Sequence, residues 1–168
     1  MDSNELSALW APWRVEYFKT GGATPDFLLD AATASDDAKH LVVARRKHTF
    51  LIMNRYPYAV GHLMVVPYRK VADLASLTDG EKVELWDSAG LAQHILREAI
   101  RAQGFNVGLN LGRCAGASAV EHLHLHVVPR WEGDHNFMPV LADTRVLPEA
   151  LDALYHRLVA IQATLAVP

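Results

Sequence analysis

Apolar and polar residues alternate most regularly between Glu121 and Arg130, where Leu123, Leu125 and Val127 fall on one side of an extended chain and His122, His124 and His126 on the other. That alternation predicts a β-strand with one face for a core and one for chemistry. Shorter apolar runs predict further strands over Leu41 to Ala44, Thr49 to Asn54, His62 to Pro67 and Phe105 to Leu111. Arg45-Arg46-Lys47-His48 suits a hairpin turn, and Tyr56 to Gly61 links the second strand to the third. Helical spacing takes over after Thr78-Asp79-Gly80-Glu81, a capping-box signal. Val83, Leu85, Trp86, Leu91, Ile95 and Ile100 supply its apolar positions up to about Ala102, and Gln103-Gly104 predicts the stop. A second helix is predicted over 148–167, opening at Pro148 with Leu151, Leu154, Tyr155, Leu158, Ile161 and Leu165 along it. Residues 20–38 are rich in Gly, Ala and Asp without a period, which predicts a loop with at most a short helix. Antiparallel strands with one long inserted helix and one appended helix read as α+β.

Composition narrows this picture in a few places. A chain of 168 residues is long enough for one sizeable core and short for two domains, so a single domain is expected. Within it, residues 1–38 form an arm and loop, 40–140 the core and 148–167 the last helix. The formal net charge of -3, with no stripe of Lys and Arg, speaks against a nucleic-acid polymer as partner. One cysteine, Cys114, excludes an internal disulfide and a multi-cysteine zinc site. The chain opens with no signal-like apolar segment and holds no run near the ~20 apolar residues of a membrane span, so a cytoplasmic address without membrane attachment is expected.

The histidine row carries the candidate chemistry. A half-exposed strand explains one polar His, but three in register framed by apolar neighbours are hard to explain as packing. A metal site is a second alternative, although same-face residues on a strand stand about 6.5 to 7 Å apart, too far for all three rings to converge on one ion. Two of them could do so with help from elsewhere. A row of imidazoles, each offering a nucleophilic nitrogen and N–H donors, also suits an extended anion such as a phosphate chain. The loop from Gly112 to Ala119 is small-residued and immediately precedes the row, so it reads either as a turn or as a phosphate cradle.

The run His122-Leu123-His124-Leu125-His126-Val127-Val128 resembles the signature of the histidine triad (HIT) superfamily of nucleotide hydrolases and transferases. The likeness extends over roughly residues 40 to 140. Asn54-Arg55-Tyr56-Pro57 followed by Gly61-His62-Leu63-Met64-Val65-Val66-Pro67 resembles the family's nucleoside-binding segment. Gly108-Leu109-Asn110 followed by Ala115-Gly116-Ala117-Ser118 resembles its phosphate-side loop. The flanks, Leu9 to Arg14 and Arg130 to Met138, look like the bacterial branch similar to diadenosine tetraphosphate phosphorylases and hydrolases.

That resemblance implies a HIT-like fold, an antiparallel sheet of about five strands per subunit, and a homodimer. It implies cleavage of a dinucleoside polyphosphate through a nucleotidyl-histidine intermediate, with phosphate or water as acceptor and no cofactor. A phosphoramidate or adenylyl-conjugate hydrolase, or a nucleotide-binding module without catalysis, remains open beside it. By the same resemblance His124 is the nucleophile, His122 and His126 bind phosphate oxygens, and His62 supports the triad from the neighbouring strand. Asn54 stands where many relatives carry an Asp that binds ribose hydroxyls; an amide still donates and accepts there but loses charge-assisted bonds. Asn110 and Ala117 would lie on the phosphate side. Ser118 stands where many hydrolases carry Gln, and the smaller side chain leaves room for inorganic phosphate. Pro25-Asp26-Phe27-Leu28 occupies the place of a Cys-x-x-Cys zinc pair found in many relatives, so no metal is expected. Trp10, Trp13, Tyr17 and Phe18 give the first 20 residues an aromatic density that suits an arm packed on the body or on a partner subunit, or a wall of the nucleotide pocket.

Overall fold

A computed structural model describes residues 26–117, 119–134 and 150–165. The aromatic arm, Ser118 and the segment 135–149 lie outside the described residues. Two short helices come first, α1 (Phe27–Thr33) and α2 (Asp37–His40), where at most one was expected. Only Leu28 and Ala31 of α1 are buried, too few to leave a periodic signature. Five strands follow: β1 (Val42–Arg45), β2 (Thr49–Met53), β3 (Leu63–Pro67), β4 (Gly104–Leu109) and β5 (Leu125–Arg130). Between β3 and β4 runs α3 (Asp79–Ile100), and α4 (Leu151–Thr164) closes the described chain.

The sheet order is β1-β2-β3-β5-β4, antiparallel throughout, so the strand carrying the last triad histidine sits between β3 and β4. Its register pairs Val65 with Leu125, Met64 with His126 and Leu63 with Val127. The odd-numbered side chains of β3 and β5 therefore share one face. There Leu51, Leu63, Val65, Leu125 and Val127 pack with Leu85, Ile95 and Leu96 of α3 and Leu154 and Leu158 of α4. On the other face Phe50, Ile52, Met64 and Val66 form a smaller core with Leu28 and Ala31 of α1 and with Ala119. His126 shares this second face, and the α1 layer is what makes even the polar side of the sheet a buried one.

The capping box expected at the start of α3 is present. Glu81 N–H donates to the Thr78 hydroxyl at 3.3 Å and Thr78 N–H donates to the Glu81 carboxylate at 2.7 Å. Arg69 grips the same carboxylate with two bonds of 2.7 and 2.6 Å. This ion pair holds the Glu81 carboxyl at about 2, well below the usual carboxylate range. Two readings of α3 need correction. Val83 and Trp86 are exposed, because the buried stripe runs through Leu85, Ser88, Ala89, Ala92, Ile95, Leu96 and Ala99. The stop comes at Arg101, in the left-handed region at φ 53°, rather than at Gln103-Gly104. The Trp131 indole N–H donates to the carbonyl of Arg101 at 3.0 Å, which ties down a conformation that L-residues adopt at a cost.

Candidate functional site

His62 enters the site from the turn before β3. Gly61 has φ +78°, and a Cβ there would meet Ile100 Cδ1 at 2.6 Å and Leu96 Cδ2 at 2.9 Å, so only glycine lets the turn lie against α3. His62 N–H donates to the Ala59 carbonyl at 3.1 Å, and Asn54 N–H donates to the His62 carbonyl at 2.9 Å. These bonds set the side chains of Asn54 and His62 beside each other.

The triad is not one continuous strand, contrary to the alternation. β5 begins at Leu125, so His126 alone lies in the ladder, while His122 and Leu123 leave it: His122 N–H donates to the Ala119 carbonyl and Leu123 N–H to the Val71 carbonyl, at 3.3 and 2.6 Å. The side assignment nevertheless holds, since Leu123, Leu125 and Val127 enter the main core and all three histidines point away from it. All four histidines of the site are buried.

Each imidazole is held by a partner that dictates where its proton sits. His124 Nδ1 lies 2.8 Å from the His122 carbonyl. A carbonyl only accepts, so the proton is on Nδ1 and the lone pair is on Nε2. Among the described residues the fully enclosed side-chain nitrogen or oxygen without a partner is His122 Nδ1. His122 Nε2 lies 2.9 Å from the Pro67 carbonyl and so donates to it. His126 Nδ1 stands 2.9 Å from His62 Nε2, and its Nε2 stands 3.3 Å from the Asn110 amide. The rings of His124 and His126 meet edge to face, centroids 4.8 Å apart.

Burial favours the neutral rings. It pushes His126 down to about 4, with the charge of His124 as a second cause. Burial likewise lowers His124, opposed by the bond to the His122 carbonyl. His122 is lowered by burial first; its bond to Pro67 opposes this, and the charges of His124 and Lys70 add to it. A neutral, anchored imidazole with a bare Nε2 is the form a nucleophile requires.

Of the residues expected on the nucleotide side, Asn110 touches His126 and Asn54 touches His62. Ala117 lies in a tight turn in which the N–H groups of Ala115, Gly116 and Ala117 donate to the carbonyls of Gly112 and Arg113 at 3.0 to 3.3 Å. Those amides are engaged within the loop. Sequence reasoning overlooked Tyr58, whose ring stacks on His62 at 4.8 Å between centroids and whose backbone N–H donates to His62 Nδ1 at 3.2 Å. An aromatic residue four positions before His62 was the available signal. It also overlooked Lys70, which pairs with Asp26 and, at 3.2 Å, with Glu121 beside His122. No group of three or more His, Cys, Asp or Glu side chains is arranged to hold a metal among the described residues, and no described helix is long and apolar enough to cross a membrane.

Comparison with known proteins places this geometry among relatives. The HIT domain family model matches residues 35–133. Over 156 residues, 88% of this chain and 80% of the relative, the sequence is 44% identical to the AP-4-A phosphorylase of Mycobacterium tuberculosis. It is 33% identical over 93 residues to the asymmetrical bis(5'-nucleosyl)-tetraphosphatase of Schizosaccharomyces pombe, a match covering 55% of this chain and 50% of that one. A solved structure of a zinc-bound histidine triad family protein from Mycobacterium smegmatis is similar with a TM-score of 0.65, covering 81% of this chain and 91% of that chain at 24% identity, a likeness of fold.

Proposed function

The chain belongs to the HIT domain family, and from that premise we propose that it is an enzyme cleaving dinucleoside polyphosphates of the diadenosine tetraphosphate kind through His124. The observation that carries this reading is the Nδ1–H anchor of His124 on the His122 carbonyl, which leaves Nε2 unprotonated within a row of buried imidazoles. Nε2 attacks the α-phosphorus, a P–N bond forms, and the P–O bond to the remaining phosphates breaks. His126, with Asn110 beside it, and His122 hold the phosphate oxygens, and a ring protonated in the complex delivers its proton to the leaving phosphate. His122 Nε2 already donates to the Pro67 carbonyl, so His122 holds an oxygen through Nδ1 only once that nitrogen is protonated in the complex.

The nucleotidyl-histidine is then resolved by inorganic phosphate. In this reading the small Ser118, where many hydrolases carry Gln, leaves room for phosphate, with water as the competing acceptor, and Asn54 reaches the ribose. The remaining donor and lone pair of the Asn54 amide suffice for one hydroxyl. A single HIT domain, with its core over 40–140, works in the cytoplasm as a homodimer, without cofactor or metal and without a nucleic-acid polymer or membrane as partner. The half-exposed β4, paired only with β5 among the described residues, offers the edge on which a second copy would add.

Product analysis tests the reading. With diadenosine tetraphosphate and inorganic phosphate the products are ADP and ATP; with water as acceptor they are AMP and ATP. Only AMP and ATP in ample phosphate would remove the phosphorylase reading, and no cleavage under either condition would remove the enzyme reading.

A further inference from the structure

Two hydrogen bonds meet at His62 Nδ1: the Tyr58 backbone N–H at 3.2 Å and the Asn54 amide nitrogen at 3.2 Å. A backbone N–H can only donate, so Nδ1 is bare and a neutral His62 carries its proton on Nε2. Nε2–H then points toward His126 Nδ1 at 2.9 Å. His126 Nδ1 must accept, and its own proton is displaced to Nε2, the nitrogen facing Asn110. The reverse polarity fails at the first link, because His62 would need a proton on the nitrogen that faces two donors, the Tyr58 N–H and the Asn54 NH2, and only an acceptor in place of the second would favour it. Asn110 does not decide the matter, since a half-turn of its amide exchanges donor for acceptor.

Asn54 completes this arrangement through its other end. Its amide oxygen accepts the Tyr56 N–H at 2.9 Å, which fixes which way the amide lies and leaves the NH2 toward His62. We propose that Asn54 is a positioning residue that, with the Tyr58 backbone, holds the lone pair of His62 Nδ1 and thereby makes His126 present Nε2–H to the phosphate. This rests on the proposed reading in that the donor from His126 is used by the reaction, but the polarity of the relay is a property of the resting protein.

The relay predicts why the amide matters and not only its shape. Asn54→Asp is nearly isosteric and offers only acceptors, so it opposes a bare Nδ1 and draws a proton onto it. A neutral His62 would then have a bare Nε2, His126 would turn its proton to Nδ1, and the donor facing the substrate would be lost. A doubly protonated His62 would keep the donor, so the variant should recover activity as pH falls.

Long-range proton–nitrogen NMR correlations of the histidine rings near neutral pH test this directly, with signals assigned by their loss in His62→Gln and His126→Gln. In the wild-type protein both rings should carry the proton on Nε2; a proton on His62 Nδ1 alone overturns the proposal whatever the variants do. In Asn54→Asp a proton should appear on His62 Nδ1, with kcat for diadenosine tetraphosphate lowered about 10- to 100-fold and regained toward acid pH. Unchanged tautomers with only a raised KM would assign Asn54 to the ribose alone and defeat the positioning role. Wild-type protein with the expected tautomers and no cleavage would instead defeat the reading of the reaction and leave the relay standing.

Discussion

His62 Nε2 and His126 Nδ1 lie 2.9 Å apart, joining a residue at the entry of β3 to the second residue of β5 across 64 positions of sequence. Neither ring is placed by the other alone. Antiparallel pairing of Met64 with His126 brings the backbones together, and the turn at Gly61 sets the height of His62. Replacing His62 with Phe keeps a ring of similar size but removes both nitrogens. Tyr58 N–H loses its acceptor and His126 Nδ1 loses its donor. We expect a loss of about 1–3 kcal/mol in urea denaturation and a fall of at least about 10-fold in kcat, with a folded far-UV spectrum.

Gly61→Ala tests the turn itself. The new Cβ would stand 2.6 Å from Ile100 Cδ1 and adopt a left-handed φ, so the loop must move away from α3. Its expected destabilisation is about 1–3 kcal/mol. Because His62 follows directly, kcat should fall as well, and a variant that lost stability with full kcat would show that the turn does not position the ring.

The buried rings also set a pH dependence. His122, His124 and His126 titrate lower in the folded chain than the ordinary His value, His126 at about 4. The unfolded chain therefore binds more protons than the folded one between about pH 4 and 6.5, and stability must fall as pH is lowered through that window. His126 alone would account for something on the order of 3 kcal/mol. Glu81, at about 2, loses its contribution only below the ordinary carboxylate range, so the two effects separate. Urea midpoints measured from neutral pH down to about 5 should decline in the wild type and decline less in His126→Gln; parallel curves would place the acid sensitivity elsewhere.

Much of this molecule is legible in its sequence where side chains themselves carry the signal. The alternation around Leu125 sorts core from site correctly, and Thr78 with Glu81 marks the start of α3. The failures share a cause. His122 leaves the strand because backbone N–H groups at His122 and Leu123 bond to Ala119 and Val71, and backbone partners have no side-chain signature. The same holds for the carbonyls of Pro67 and His122 and the Tyr58 N–H, which decide the tautomers of the site. Arg101 takes the left-handed stop that Gly104 advertises, closed by local backbone bonds to the Arg97 and Leu96 carbonyls, and its own carbonyl accepts from Trp131, 30 residues away in sequence.

The most direct test of the central claim is to catch the intermediate on His124. Enzyme mixed with diadenosine tetraphosphate labelled at the α-phosphorus is quenched in denaturant at alkaline pH, where a phosphorus–nitrogen bond to imidazole survives, and the peptides are mapped. The account predicts label on the peptide carrying His124 in the wild type, with no label and turnover reduced by at least about 100-fold in His124→Ala. Label on another residue, or near-wild-type turnover by His124→Ala, would contradict it.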